Sequence, residues 1–203
     1  MLISENWKQV PKPIKLFLLK GVIFFSLWKL LYVGMLLPHR VLDQPLTYAI
    51  GMATTETLNS IQHSGEYRAQ PGMDIKTTNI NGAVLTENVI RIYYHRQKVL
   101  SVADACNGLE LIVLYLGFII CFPSRTLRKA VFILMGIVLI TIANIARCTA
   151  LVYLFLHNPD WVDFSHHYLF TFLVYGLIAG LWFRFIRLPA LPGKFETHVA
   201  LQS

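Results

Sequence analysis

The chain has 203 residues, 55% hydrophobic and only 14% charged, with a formal net charge of +7 and a mean hydropathy of +0.53. Soluble domains carry about a quarter charged residues, so the composition excludes an ordinary soluble fold. It points to a single polytopic membrane domain over residues 1–203. The basic residues flank apolar runs, which assigns the positive charge to membrane topology and excludes nucleic acid as the partner.

In chain order, Lys8, Lys12 and Lys15 precede a largely apolar run over residues 16–37. This reads as the first span. The run is too long for a signal-peptide core and no small-residue cleavage site follows, so no cleavable signal is expected. Lys20 and Lys29 interrupt it. Lys20 is expected to snorkel inward, and Lys29 to snorkel outward or face the bundle.

Residues 41–105 form an outer segment. Leu46, Ala49, Ile50, Ala53, Thr57, Leu58 and Ile61 recur at helical spacing, with Glu56, Asn59, Gln62 and His63 largely opposite. This predicts an amphipathic helix lying on the membrane or the bundle, not a fifth span. Asn81-Gly82 marks a tight turn. Val89 to Tyr94 reads as a strand that Arg96-Gln97-Lys98 turns back through Val99 to Val102, giving a small β-hairpin cap.

Three further apolar runs follow, over residues 107–122, 130–156 and 168–186. The link Pro123 to Lys129 carries Arg125, Arg128 and Lys129, and the chain's end carries Arg184, Arg187 and Lys194. With the N-terminal lysines, these basic segments are expected to be cytoplasmic. The expected fold is therefore an all-α bundle of about four transmembrane helices, with the outer helix and hairpin cap added. No internal repeat or low-complexity tract appears.

On this topology Cys106, Arg147 and His167 converge at the outer membrane face. Cys106 stands at the start of an apolar helix, where unpaired N–H groups and the helix dipole favour the thiolate that a nucleophile needs. Asn107 and Gly108 permit an irregular entry and close approach of a substrate backbone. Arg147 lies inside an apolar run, a costly position that marks function or a paired charge. A guanidinium there can stabilise an oxyanion. Asn144 shares its helix face and can hold it or bind substrate backbone. An ion pair between Arg147 and Glu110, one turn below Cys106, is the competing structural reading, and the two can coexist. His167, next to His166, can pass a proton to a leaving amine.

Other chemistries find less support. Three cysteines cannot all pair, and no CxxC or Cys/His spacing appears, so neither a disulfide framework, a metal nor a cofactor is expected. Cys121 and Cys148 read as buried apolar residues. G-x-S-x-G and H-E-x-x-H are absent, which argues against serine and zinc intramembrane proteases. Gly176 and Gly180 form a small-xxx-small pair, expected to let the last span pack closely on a neighbour or on a substrate helix. The alternative to an enzyme is a non-enzymatic membrane subunit of a transport or secretion complex.

Cys106-Asn107-Gly108-Leu109, then Asn144-x-x-Arg147, then His167-Tyr168 before a final span, resembles the exosortase/archaeosortase family. The likeness runs from Asp104 to about Trp182. Many members have serine where Asn107 stands, and many are longer, with more spans. The resemblance implies a multipass cysteine transpeptidase of the cell membrane, with its active site facing the extracytoplasmic side. Its implied partners are membrane-anchored proteins ending in a short motif, a helix and a basic cluster. It implies Cys106 as nucleophile, Arg147 as oxyanion or carbonyl binder and His167 as acid/base, His167 being preferred to His166 because an aromatic residue follows it.

Overall fold

The computed structural model describes residues 11–63, 65–77 and 84–187. It is mostly helical, with a small three-stranded sheet. The first helix, α1, runs Lys12–His39. Pro11 and Pro13 precede and open it, where a missing N–H costs nothing. It passes through one π-helical turn at Tyr32–Leu36. It stops at Arg40, whose φ of 48° is left-handed. None of the Lys12–Leu31 stretch is buried, and Leu18, Val22, Leu27 and Leu30 are exposed. Such a surface belongs in lipid.

Helix α2 spans Asp43–Gln62. Its buried face is Thr47, Ile50, Gly51, Thr54, Thr55 and Leu58, offset from the apolar stripe that periodicity predicts. Ala49 and Ile61, expected on the inner face, are exposed. The offset has a physical cause. Thr54 and Thr55 donate to the carbonyls of Ile50 and Gly51 at 2.7 and 2.9 Å. That hides their hydroxyls inside the helix, so threonine can pack like valine.

Three antiparallel strands follow, β1 Tyr67–Thr77, β2 Val84–Tyr94 and β3 Gln97–Ala103, in the order β1-β2-β3. The expected hairpin is β2–β3. Its turn is His95-Arg96, with His95 at φ 53°, rather than Arg96-Gln97-Lys98. Strand β1 was not foreseen. The expected turn at Asn81-Gly82 lies outside the described residues. The sheet packs Tyr67, Ile90, Ile92, Val99 and Val102 against Ile50 and Leu58 of α2 in an upper core.

Below it come α3, Leu109–Cys121, α4, Thr126–His157, and α5, Pro159–Arg187. Among the described residues three helices, α1, α4 and α5, are long and apolar enough to cross a membrane; α3 is a shorter apolar helix. Tyr115, Ile119, Phe132, Ile140, Ile178 and Phe185 form a lower core. Lipid is as apolar as these side chains, so close packing rather than the hydrophobic effect holds it. Gly136 shows how close: a Cβ there would overlap the Tyr115 ring, whose hydroxyl donates to the Phe132 carbonyl at 2.7 Å. Phe118 stacks on Trp182 at 4.5 Å, and Arg128 lies 4.7 Å from the Phe185 ring. Gly176 and Gly180 do not act as expected within the chain. Both are exposed, and among the described residues nothing lies within 4 Å of a Cβ on either.

Candidate active site

The two cores meet near Asn144, on α4 between Ile140 of the lower and Cys148 of the upper. The loop joining β3 to α3 crosses at this level. Asp104–Cys106 is a single 3-10 turn, and Gly108 takes φ 83° just before α3 begins. That left-handed step suits glycine, and it reverses the chain so that Cys106 precedes the helix without entering it. A Cβ at Gly108 would come into ordinary contact with the Asn144 side chain, 3.4 Å from its Nδ2, so Asn144 packs directly over this step.

Cys106 is half-buried. Its sulfur lies 4.0 Å from Nε2 of His166. The carbonyl of Cys106 accepts from Nδ2 of Asn144 at 2.9 Å. A carbonyl can only accept, so the amide nitrogen must face it, and this fixes the amide's orientation. Among the described residues, Oδ1 of Asn144 is then left buried without a partner. Nε of Arg147, one turn further along α4, is likewise buried and unpartnered. Among the described residues, an unpaired acceptor and an unpaired donor therefore stand one helical turn apart on α4, the acceptor on the side chain that holds the Cys106 carbonyl. Unmade bonds of this kind cost about 1–3 kcal/mol each, and functional sites are where such costs are retained.

The histidine that faces the thiol is not the one the sequence pattern favours. His166 does so, while His167 is exposed and points to Asp163, with Nδ1 3.1 Å from both its carbonyl and its Oδ1. The cause is a π-helical turn over Ser165–Leu169. It buries Ser165, turns His166 inward and leaves His167 outside.

The Arg147–Glu110 ion pair is not formed among the described residues. Glu110 is exposed and lines a cleft of about 300 Å³ with Trp28, Lys29, Tyr32 and Tyr175. Lys29 thus faces a cleft between helices, near a carboxylate. The Arg147 charge instead acts within electrostatic reach of His166 and Cys148. Cys121 and Cys148 are buried, as expected of apolar cysteines.

Asn107 points away from the thiol. Its Nδ2 donates to Asp43 at 3.1 Å and to Thr47 at 3.3 Å, and its Oδ1 accepts from the Leu109 N–H at 2.8 Å. It shapes the loop and starts α3. Sequence reasoning missed these partners, Asp43 and Thr47, and the residues bonded to them or to Asp104 in turn, Tyr32 and Arg40. The available signal was polar residues gathered where the first apolar run ends and where Cys106 begins. Among the described residues no group of three or more His, Cys, Asp or Glu side chains could hold a metal.

A family model described as Transmembrane exosortase matches residues 16–184, most of the chain. No curated protein matches, and no solved structure matches.

Proposed function

The chain belongs to the transmembrane exosortase family, and from that premise we propose that it is a membrane-embedded cysteine transpeptidase. In this reading it cleaves the C-terminal sorting signals of exported proteins at the extracytoplasmic face of the cell membrane. The observation that carries it is the 4.0 Å approach of the Cys106 sulfur to His166 Nε2. Asn144, which holds the Cys106 carbonyl, and Arg147, one turn further along α4, add one acceptor and one donor that are unmatched among the described residues.

The residues take these roles. Cys106 attacks the scissile carbonyl carbon as its proton passes to Nε2 of His166. Arg147 donates to the oxyanion that forms. As the C–N bond breaks, the His166 imidazolium returns the proton to the departing amine. The acyl group stays on Cys106 as a thioester. An incoming amine then attacks the thioester and gives its proton to His166; the C–S bond breaks, the new amide leaves, and the proton returns from His166 to the Cys106 thiolate, while water in place of the amine gives hydrolysis. Here the acid/base role goes to His166, not His167. Asn144 holds the Cys106 carbonyl and offers Oδ1 to a backbone N–H. Glu110 is left outside the chemistry.

The substrate reaches this site by diffusing in the bilayer, anchored by its own C-terminal helix and basic tail. The whole chain acts as one domain with four crossings, α3 serving as the second. Phe118 of α3 and Phe122 just after it meet Phe17 near the start of α1, and Glu110 lines a cleft with Tyr32 further along it. So α3, 13 residues long, lies beside about half of the 28-residue α1. The basic link around Arg125, Arg128 and Lys129 then lies inside and the β-sheet outside. The test is cleavage of a tail-bearing substrate by the purified protein in liposomes. Loss of cleavage in Cys106→Ala, with the protein still folded, is the expected result. Full cleavage would end the reading.

A further inference from the structure

The loop that carries Cys106 is held by a polar network from the outer end of α1 and the first turns of α2. On one side of the thiol, Asp104 accepts from Arg40 Nε at 2.9 Å and from Nη2 at 2.7 Å. It also accepts from Thr47 Oγ1 at 2.7 Å. On the other side, Asn107 donates to Asp43 Oδ1, while Tyr32 donates to Asp43 Oδ2 at 3.0 Å. Arg40 Nη2 further reaches the Asn88 carbonyl on β2 at 3.4 Å. Residues 104 and 107 are thus each pinned, and Cys106 lies between them.

Fold stability alone does not account for this arrangement. Asp43 and Asn107 are both 2% exposed, and buried charged groups usually add little stability over well-packed apolar ones. Arg40 holds a left-handed backbone that side chains with a Cβ rarely adopt. Directional bonds of this kind are good at fixing geometry. Arg40 grips Asp104 with a planar fork, which a flexible ammonium cannot reproduce. The loop backbone that carries Cys106 cannot shift far relative to α1 and α2 without stretching several of these bonds.

We propose that Arg40 and Asp43 are positioning residues of the active site. Acting through Asp104 and Asn107, they set the Cys106 thiol opposite His166 and tie its place to the outer end of the first span. The inference rests on Cys106 being the reacting thiol.

The test uses the full-length protein in liposomes, as wild type and as Arg40→Ala, Arg40→Lys, Asp43→Ala and Asp43→Asn. Folded fraction is followed by thermal unfolding, and kcat and KM with a tail-bearing substrate. The rate of iodoacetamide alkylation at Cys106 is mapped by mass spectrometry. The two alanine variants are expected to lower kcat per folded molecule by about tenfold to a hundredfold, the cost of a small misplacement. KM should stay within about twofold, since ground-state binding is untouched. Alkylation of Cys106 should become several-fold faster as the loop loosens. Arg40→Lys and Asp43→Asn keep part of the bonding and should fall between. Should Arg40→Ala fail to fold, Tyr32→Phe removes one bond and no charge, and carries the same test on a smaller scale. Wild-type kcat and alkylation in folded variants would overturn the proposal, as would a kcat loss accounted for by lost folded protein. If Cys106→Ala still cleaves substrate, the proposed function fails, while the alkylation rates still judge the positioning.

Discussion

His166 Nε2 and the Cys106 sulfur face each other across 4.0 Å, although 60 residues separate them in the sequence. His166→Ala is therefore expected to lower turnover by about 10² to 10⁴, the usual worth of a general acid/base. His167→Ala should stay within about threefold, the range of an exposed surface change. Cleavage per folded protein in liposomes measures both. Loss confined to His167→Ala would reverse the assignment.

Arg147 and Glu110 separate catalysis from structure. Arg147→Lys keeps the charge and loses the planar fork. It should insert normally and lose about 10² to 10³ in kcat, the typical effect of one oxyanion donor. Glu110→Leu should keep most of its activity, because Glu110 lines a separate cleft. Near-normal cleavage by the double variant Arg147→Leu with Glu110→Leu would rule out a direct catalytic role for Arg147.

The reasons for the partial legibility of this site lie in local backbone. Cys106, Asn144 and Arg147 were visible because each is an unusual residue beside or inside an apolar run. His166 and His167 are adjacent, and sequence alone cannot choose between them. The π-helical turn over Ser165–Leu169 makes the choice, and no periodicity announces such a turn. The long spans were legible from hydropathy. The sheet was legible only in its second and third strands, since β1 carries Pro71 and Gly72, residues that argue against a strand. The buried face of α2 was misread because its threonines hide their hydroxyls. The Arg40–Asp104 link joins residues 64 apart, and only folding brings them together.

Asn144 makes one bond and leaves another unmade. Asn144→Leu removes both groups, so its stability should move by only about 1 kcal/mol. Its turnover should fall by about tenfold or more, because the Cys106 carbonyl is released and the thiol shifts. Asn144→Asp should do worse, since it sets an oxygen against that carbonyl. Thermal unfolding and cleavage measured on the same preparations check both. Wild-type turnover in Asn144→Leu would remove Asn144 from the site.

Two glycines give a contrast in packing. Gly136→Ala drives a methyl into the Tyr115 ring and should destabilise the protein by about 1–3 kcal/mol, the usual cost of overpacking. Gly180→Ala meets nothing within 4 Å among the described residues and should leave stability within about 0.5 kcal/mol. Unfolding in detergent reads both. A large loss at Gly180 would mean that a partner covers this face.

The central claim is that Cys106 is acylated by the substrate. The direct measurement is intact mass spectrometry of the liposome-reconstituted enzyme, mixed with a tail-bearing substrate in the absence of an amine acceptor and quenched at early times. The account predicts an adduct with the mass of the substrate's N-terminal fragment, mapped to Cys106 and released by hydroxylamine as a thioester is. Cys121→Ala and Cys148→Ala should form the adduct, and Cys106→Ala should form none and cleave nothing. Cleavage by Cys106→Ala, or cleavage by wild type with the adduct on another residue, would contradict it.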